Sequence, residues 1–534
     1  MTSPISLNIG GGYKILRWLP PGPYTRFIGT LVPGNATKEL VRSLATAGMH
    51  IARINFSHVL TDQDRAKVVN LVQTIKEVEA ERCIPIGIML DTQGPEFRIR
   101  RYEGNVELKE GGNLVIVPGE GATSAEKVYI RIPHGYTKLY DELTSQSSLA
   151  PVHILIEDGK IELEILSINP EHGIVCKVIR GGLLIGNKGL NFAKCALNVP
   201  AVTVADLSSV DFAFEMGGFS RGFQYLAQSF TTGIGAINFM RDYMLAKGTE
   251  DQLLYQGAKI EELFGVRNME EIVSGSYFVM VAQGDLDAAV GADGLAAVRR
   301  RIMSLGRIYG TPVIIATGVF EGTINGFRPS RSDSVNFADA LYGGASAIMF
   351  SGEITSSADP VSVMRSAVAH AKSTEEDPFR LQDFARYREA AQQLHLERIR
   401  EFHRSGKSPQ AVPHLSTEEL IFAALGSAER MGSVALVPCT INGNSIRFAH
   451  KGFSTIPVVG ITASERAFYR MLLYGGAYPV LVDRIPQDAS EFFELVKGVV
   501  TTLKFAEAGQ RVDVTVAYPD PTKFDVNMST FINL

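Results

Sequence analysis

The chain has 534 residues, 45% of them hydrophobic, and a formal net charge of −5. That is apolar material for roughly three or four domains, with no basic concentration of the kind that holds nucleic acid or an anionic membrane surface. Its four cysteines, Cys83, Cys176, Cys195 and Cys439, are far apart and lack metal-ligand spacing, which argues against a disulfide framework or a zinc site and for a reducing compartment.

In chain order, residues 1–24 come first, without a basic region leading into an apolar core, and no apolar stretch elsewhere is long enough to span a bilayer. A cytoplasmic protein is expected, with some docking of the leading segment suggested by Trp18. Near-continuous apolar runs follow at 27–32, 51–56, 86–90, 225–230, 253–260, 277–282, 313–316 and 347–350, as in parallel strands buried on both faces. Between them apolar residues recur at helical spacing, as in Leu40, Leu44 and Ala47 or Leu295, Val298, Ile302 and Leu305. The alternation predicts an α/β fold, a TIM (β/α)8 barrel over 25–98 and 199–375. The barrel pattern breaks for 99–198, where short alternating runs and Gly-rich turns predict an all-β insert, a small β-barrel placed as a lid. From 376 to 534 a charged helical stretch (384–404) leads to a C-terminal α/β domain with strands near 434–437, 457–461, 479–482 and 512–516.

Several of the barrel runs stop at a charged or hydroxyl residue: Arg53-Ile54-Asn55-Phe56-Ser57, Leu90-Asp91-Thr92, Lys259-Ile260-Glu261, Ala282-Gln283-Gly284-Asp285, Ala316-Thr317 and Phe350-Ser351-Gly352-Glu353. Polar residues at the C-terminal ends of barrel strands mark an active-site rim. Glu261 and Asp285, on adjacent strand ends, suit a hard divalent cation such as Mg²⁺, and the Lys259 ammonium beside them suits the charge of a transferring phosphoryl group; a structural Lys-Glu pair inside the barrel explains the same spacing. Arg53, Asn55 and Ser57 share one strand face. The guanidinium suits phosphate, and the oxygens of Asn55, Ser57, Asp91 and Thr92 suit a monovalent cation, although any one of these residues alone could simply finish a strand. Gly284 lets a carboxylate approach backbone N–H groups, and a plain turn is the simpler alternative. Thr317 on its own reads as a helix-entry residue.

Together, these motifs and their order resemble the pyruvate kinase family, from about Thr25 to the C-terminus. The anchors are Ala52-Arg53-Ile54-Asn55-Phe56-Ser57-His58, Leu90-Asp91-Thr92-Gln93-Gly94-Pro95-Glu96-Phe97-Arg98, Lys259-Ile260-Glu261, Met280-Val281-Ala282-Gln283-Gly284-Asp285-Leu286 and Ser351-Gly352-Glu353. The resemblance implies transfer of the phosphoryl group of phosphoenolpyruvate to ADP, giving pyruvate and ATP, in a homo-oligomer; the charge balance already sets nucleic acid and membrane aside as partners. It implies Arg53 and Lys259 on the phosphate, Gly284 and Asp285 on the substrate carboxylate, Glu261 and Asp285 on Mg²⁺, and Thr317 in protonation of the enolate. Asn55, Ser57, Asp91 and Thr92 match the family's K⁺ site, with Glu96 the acidic residue of its potassium-dependent members. Pro33, Asn55, His58, Arg98 and Lys188 match nucleotide-side positions, and Asp158 matches a residue that closes over the substrate.

This chain also departs from the family pattern. Gln283 replaces an arginine, Gly318 a glutamine, Gln93 a lysine and Val32 a glycine; Glu262-Leu263-Phe264-Gly265 replaces Asn-x-Glu-Gly; Asp287 and Ala289 replace glycine and glutamate. An active enzyme with altered tetramer packing is therefore expected, a weakly active or inactive regulatory paralogue being the alternative. The loop Thr440-Ile441-Asn442-Gly443-Asn444-Ser445 lies where sugar-bisphosphate-regulated members cradle a phosphate, but it holds no Lys or Arg. The segment 518–534, with Lys523, is unlike the family's effector loop, so a weak or absent response to fructose bisphosphates is expected.

Overall fold

A computed structural model describes residues 6–148, 150–157, 159–326, 328–405, 415–517 and 527–534; Asp158 and Lys523 lie outside the described residues. Eight parallel strands close a barrel: β1 (Arg26–Thr30), β2 (Ile51–Asn55), β3 (Gly87–Asp91), β4 (Tyr225–Gln228), β5 (Tyr255–Ile260), β6 (Val279–Ala282), β7 (Val313–Ala316) and β8 (Ala347–Phe350). These are the predicted strands, with ends that shift by no more than about two residues. Almost every residue in them is buried, because helices cover the outside and side chains fill the inside, and this is why the runs read as apolar without alternation.

The helices outside the barrel start and stop where local chemistry dictates. Lys38–Ala47 is capped by the Thr37 hydroxyl and ends at Gly48 with φ 119°, and Asp62–Arg82 opens with a reciprocal Thr61–Asp64 capping box. After β6 no loop intervenes, and the helix Gln283–Val290 begins at once.

The insert forms a second closed barrel from strands Phe97–Ile99, Asn113–Pro118, Lys127–Arg131, His153–Ile156, Ile161–Asn169, Gly173–Arg180 and Gly189–Ala193. It is not all-β: a helix, Leu139–Ser147, packs Leu139 and Leu143 into the insert's core. Its apolar period is four residues rather than two. Val106–Leu108 leaves the closed barrel and pairs with Gly182–Leu184.

The C-terminal domain is built on a seven-stranded sheet. Its parallel centre, Ala435–Pro438, Val458–Thr462, Ala477–Val482 and Arg511–Val516, corresponds to the predicted strands. Met528–Asn533 adds an antiparallel strand at one edge. At the other edge lies a hairpin from the leading segment, Leu7–Ile9 and Tyr13–Trp18, whose second strand pairs antiparallel with Ala477–Val482. Thus the first described residues belong to the sheet of the last domain, and the chain then crosses into β1.

Candidate active site

The rim chemistry begins with register. β2 and β3 pair so that Asn55 stands opposite Asp91, and the buried Arg53 reaches across to Asp91, Nε to Oδ2 at 2.6 Å. The same guanidinium donates to Thr30 Oγ1 (3.0 Å) at the end of β1 and to Ser351 Oγ (3.4 Å) after β8. Lys259 on β5 takes the other Asp91 oxygen at 3.1 Å, Glu261 Oε1 at 2.8 Å and Ser229 Oγ at 2.9 Å. One carboxylate is therefore shared by two cations, one on each oxygen. Burial opposes ionisation of Asp91, but Arg53 and Lys259 outweigh it and hold the acid below its ordinary range. Burial likewise opposes the Lys259 charge, and Asp91 and Glu261 outweigh it, holding the ammonium above the usual lysine value.

Glu261 is buried and accepts the Phe230 N–H at 2.7 Å. Its carboxyl is pushed up to about 7, chiefly by burial, with Lys259 lowering it and Asp285 raising it further. Asp285 accepts from Asn191 of the lid at 3.3 Å. Glu261 and Asp285 both line a cleft of about 70 Å³ beneath the lid strand that carries Asn191 and Phe192. Among the described residues no cluster of three or more His, Cys, Asp or Glu side chains is suited to a metal. Two hard carboxylates that repel each other across one cleft nevertheless fit a Mg²⁺ ion, which draws its remaining oxygens from water and substrate. The donors at Asn55, Ser57, Asp91 and Thr92 are all oxygens, which suits an alkali cation.

A larger cavity, about 740 Å³, opens beside this cluster. Gln283, Gly284, Thr317 and Ser351 line it from the barrel rim, and Leu155 from the lid. Gly284 donates its N–H to Thr317 Oγ1 at 3.2 Å, so the carboxylate-binding candidate and the protonation candidate touch. Thr317 itself has φ 64°, a left-handed backbone that a β-branched residue rarely adopts. Glu353 does not face the cavity as a free acid: it is buried and accepts N–H groups of Val319, Phe320 and Ser351.

On the nucleotide side, Pro33 follows β1 in a partly buried turn and His58 closes the short helical turn Phe56–His58. Burial lowers the His58 pKa, aided by Arg98 and Arg53. Arg98 pairs with Glu96 at 2.6 Å, and Lys188 pairs with Glu157 at 3.0 Å while 42% exposed. The lid is docked on the rim by Lys194 Nζ to Asp293 (3.1 Å) and by Lys194 N–H to the Ala288 carbonyl (3.3 Å).

Several contributors carry little signal in the sequence. Thr30 and Ser229 end or follow barrel strands whose rims carry no charge, and strand termination was their available signal. Asn191 lies three residues past Lys188 on the lid but carries no sign of its contact with Asp285, and Arg299, which donates to Gln283 Oε1 at 2.7 Å, acts from a helix with no local sign of it. In the C-terminal loop, Thr440 Oγ1 accepts the Gly443 N–H (2.9 Å), and a cation does approach from outside the loop: Arg470 donates to the Asn442 carbonyl at 2.7 Å.

Comparison with known proteins agrees with this architecture. The pyruvate kinase barrel-domain family matches residues 23–364 and the pyruvate kinase alpha/beta-domain family matches residues 418–530. A pyruvate kinase of Geobacillus stearothermophilus is 26% identical over 93% of this chain and 78% of its own length. One from Clostridium perfringens is 26% identical over 94% of this chain and 98% of its own. The crystal structure of a pyruvate kinase from Cryptosporidium parvum superposes with a TM-score of 0.80 at 23% identity, covering 96% of each chain. With both domain families matched in order and spanning most of its length, the chain belongs to the pyruvate kinase family.

Proposed function

We propose that this protein is an active pyruvate kinase that transfers the phosphoryl group of phosphoenolpyruvate to ADP. The observation that carries the reading is the Lys259 ammonium, held between Asp91, Glu261 and Ser229 with Arg53 on the far side of Asp91. Two fixed cations on one rim are what a phosphoryl group in flight requires. Arg53 holds the phosphate oxygens and Lys259 neutralises the charge that spreads over them. The enol P–O bond breaks as a β-phosphate oxygen of ADP bonds to phosphorus, and the electron pair stays on the enol oxygen. The enolate then takes a proton at its methylene carbon, with Thr317 positioned for that end of the substrate, and pyruvate results. The Gly284 and Asp285 N–H groups, at the start of the helix Gln283–Val290, receive the substrate carboxylate, the Gly284 N–H dividing its bond between the carboxylate and Thr317 Oγ1.

Glu261 and Asp285 are the residues to hold Mg²⁺, which when bound supplies charge neutralisation and orientation for the phosphate oxygens. Asn55, Ser57, Asp91 and Thr92 are the residues for K⁺. Pro33, Asn55, His58, Arg98 and Lys188 are assigned to ADP. A cytoplasmic homo-oligomer is proposed, with packing altered from a tight tetramer; among the described residues no helix is long and apolar enough to cross a membrane. The test is pyruvate formation from phosphoenolpyruvate and ADP by purified protein with Mg²⁺, with and without K⁺. Turnover that requires both cations supports the reading, and binding of phosphoenolpyruvate without turnover identifies a regulatory paralogue instead.

A further inference from the structure

Thr317 and Gly318 are consecutive residues with positive φ, 64° and 63°, at the point where the rim presents its hydroxyl to Gly284. Such a turn persists only when surrounding groups over-determine it. Here the two carbonyls are each held by a side-chain amide: Gln283 Nε2 donates to the Thr317 carbonyl at 2.8 Å, and Asn336 Nδ2 to the Gly318 carbonyl at 3.0 Å. An amide can hold a carbonyl only when its NH₂ end points that way, and the opposite orientation would set oxygen against oxygen.

A single nitrogen settles both orientations. Arg299 NH1 donates to Gln283 Oε1 at 2.7 Å and to Asn336 Oδ1 at 2.5 Å, so each amide must turn its NH₂ toward the strained turn. Arg299 is 6% exposed, and its second amino group is anchored on Asp339. It projects from the helix Ala292–Tyr309, whereas Asn336 and Asp339 belong to the helix Arg331–Tyr342. Arg299 thus joins two outer helices to the end of β6 and to the turn after β7.

We propose that Arg299 is a positioning residue of the active site, fixing Gln283 and Asn336 so that the Thr317–Gly318 turn keeps its hydroxyl on Gly284. The inference builds on the proposed function, because it assumes that Gly284 receives the substrate carboxylate and that Thr317 serves the protonation of the enolate. It also accounts for a glutamine at position 283 where the family resemblance sets an arginine: the guanidinium arrives from the neighbouring helix, and the rim residue becomes its acceptor and relay.

The experiment compares full-length wild type with Arg299→Met, Gln283→Met and the double variant, reading kcat, KM for each substrate and the affinity for oxalate in the presence of Mg²⁺. Each single change is expected to lower kcat/KM for phosphoenolpyruvate roughly tenfold or more and to weaken oxalate by a similar factor, with KM for ADP within about twofold. The double variant should be no worse than the poorer single, since both break one relay. Losses that multiply, or an unchanged oxalate affinity, overturn the proposal, as does equal damage to ADP and phosphoenolpyruvate. Should Arg299→Met fail to fold, Asn336→Leu and Gln283→Met carry the same test, being two amides governed by one guanidinium. Wild-type protein that binds oxalate without turnover, and loses that affinity in the variants, would reject the kinase reading while leaving the positioning role standing.

Discussion

Arg53 and Asp91 form a buried ion pair at 2.6 Å between β2 and β3, and Lys259 occupies the carboxylate's other oxygen. Removing the acid therefore orphans two cations at once. Asp91→Ala is expected to cost about 3–5 kcal/mol of barrel stability, the usual penalty for stripping one partner from a buried pair, and to abolish pyruvate formation. Urea unfolding followed by circular dichroism measures the first effect and a turnover assay the second. An unchanged midpoint would mean that Arg53 and Lys259 find other partners.

Lys259→Met separates chemistry from cation binding. The ammonium touches Glu261 but is not itself an oxygen donor, so losing it should lower kcat by roughly 10²–10³, the scale of one transition-state charge contact. Mn²⁺ should still bind at a pH above the Glu261 value, where that carboxylate is ionised without its ammonium partner and the metal takes the place of the lost cation. A parallel loss of Mn²⁺ binding, read by titration, would count against Glu261 and Asp285 as the divalent site.

The barrel was readable because strands buried on both faces leave an unmistakable apolar run, and because rim chemistry such as Lys259-Ile260-Glu261 is contiguous in sequence. Helix Leu139–Ser147 is hidden in the sequence because its two buried leucines fall in a stretch rich in polar residues. The relay through Arg299 and Asn336 was not legible at all: its members sit on separate helices, and only the folded barrel brings them to Gln283. The same holds for Arg470, which meets the Thr440–Ser445 loop from another helix.

Glu418 offers a pH test outside the active site. It is buried on the helix Leu415–Arg430 with Lys451 Nζ at 2.5 Å and Arg398 NH1 at 2.7 Å. Burial opposes its charge, but His395, Lys451 and Arg398 prevail and hold the carboxyl at about 2. A depressed carboxylate stabilises the fold above its unfolded value and loses that contribution as pH falls toward the folded value. The C-terminal domain should therefore weaken by on the order of 3 kcal/mol between about pH 5 and pH 2. Glu418→Gln should show the deficit at neutral pH and converge with wild type in acid. A difference between the two proteins that stays constant with pH would exclude this carboxylate as the source.

The leading hairpin yields the last expectation. Tyr13–Trp18 pairs with Ala477–Val482, and Tyr13, Ile15 and the residue after the strand, Leu19, enter the core at 3%, 0% and 2% exposure. It thereby covers an edge that would otherwise present unpaired backbone groups for association. Each such side chain contributes about 1.5–3 kcal/mol on burial, and a charge at the centre of the strand cannot be accommodated there. Ile15→Asp should undock the hairpin, lower the unfolding midpoint of the C-terminal domain and promote self-association through the bared edge of Ala477–Val482. Trp18 is the chain's one tryptophan and sits partly buried in this hairpin, so its fluorescence reports the event directly. The emission should shift to the red in Ile15→Asp under conditions where phosphoenolpyruvate still binds to the barrel. An unshifted spectrum with an unchanged sedimentation profile would show that the hairpin is dispensable to the sheet it completes.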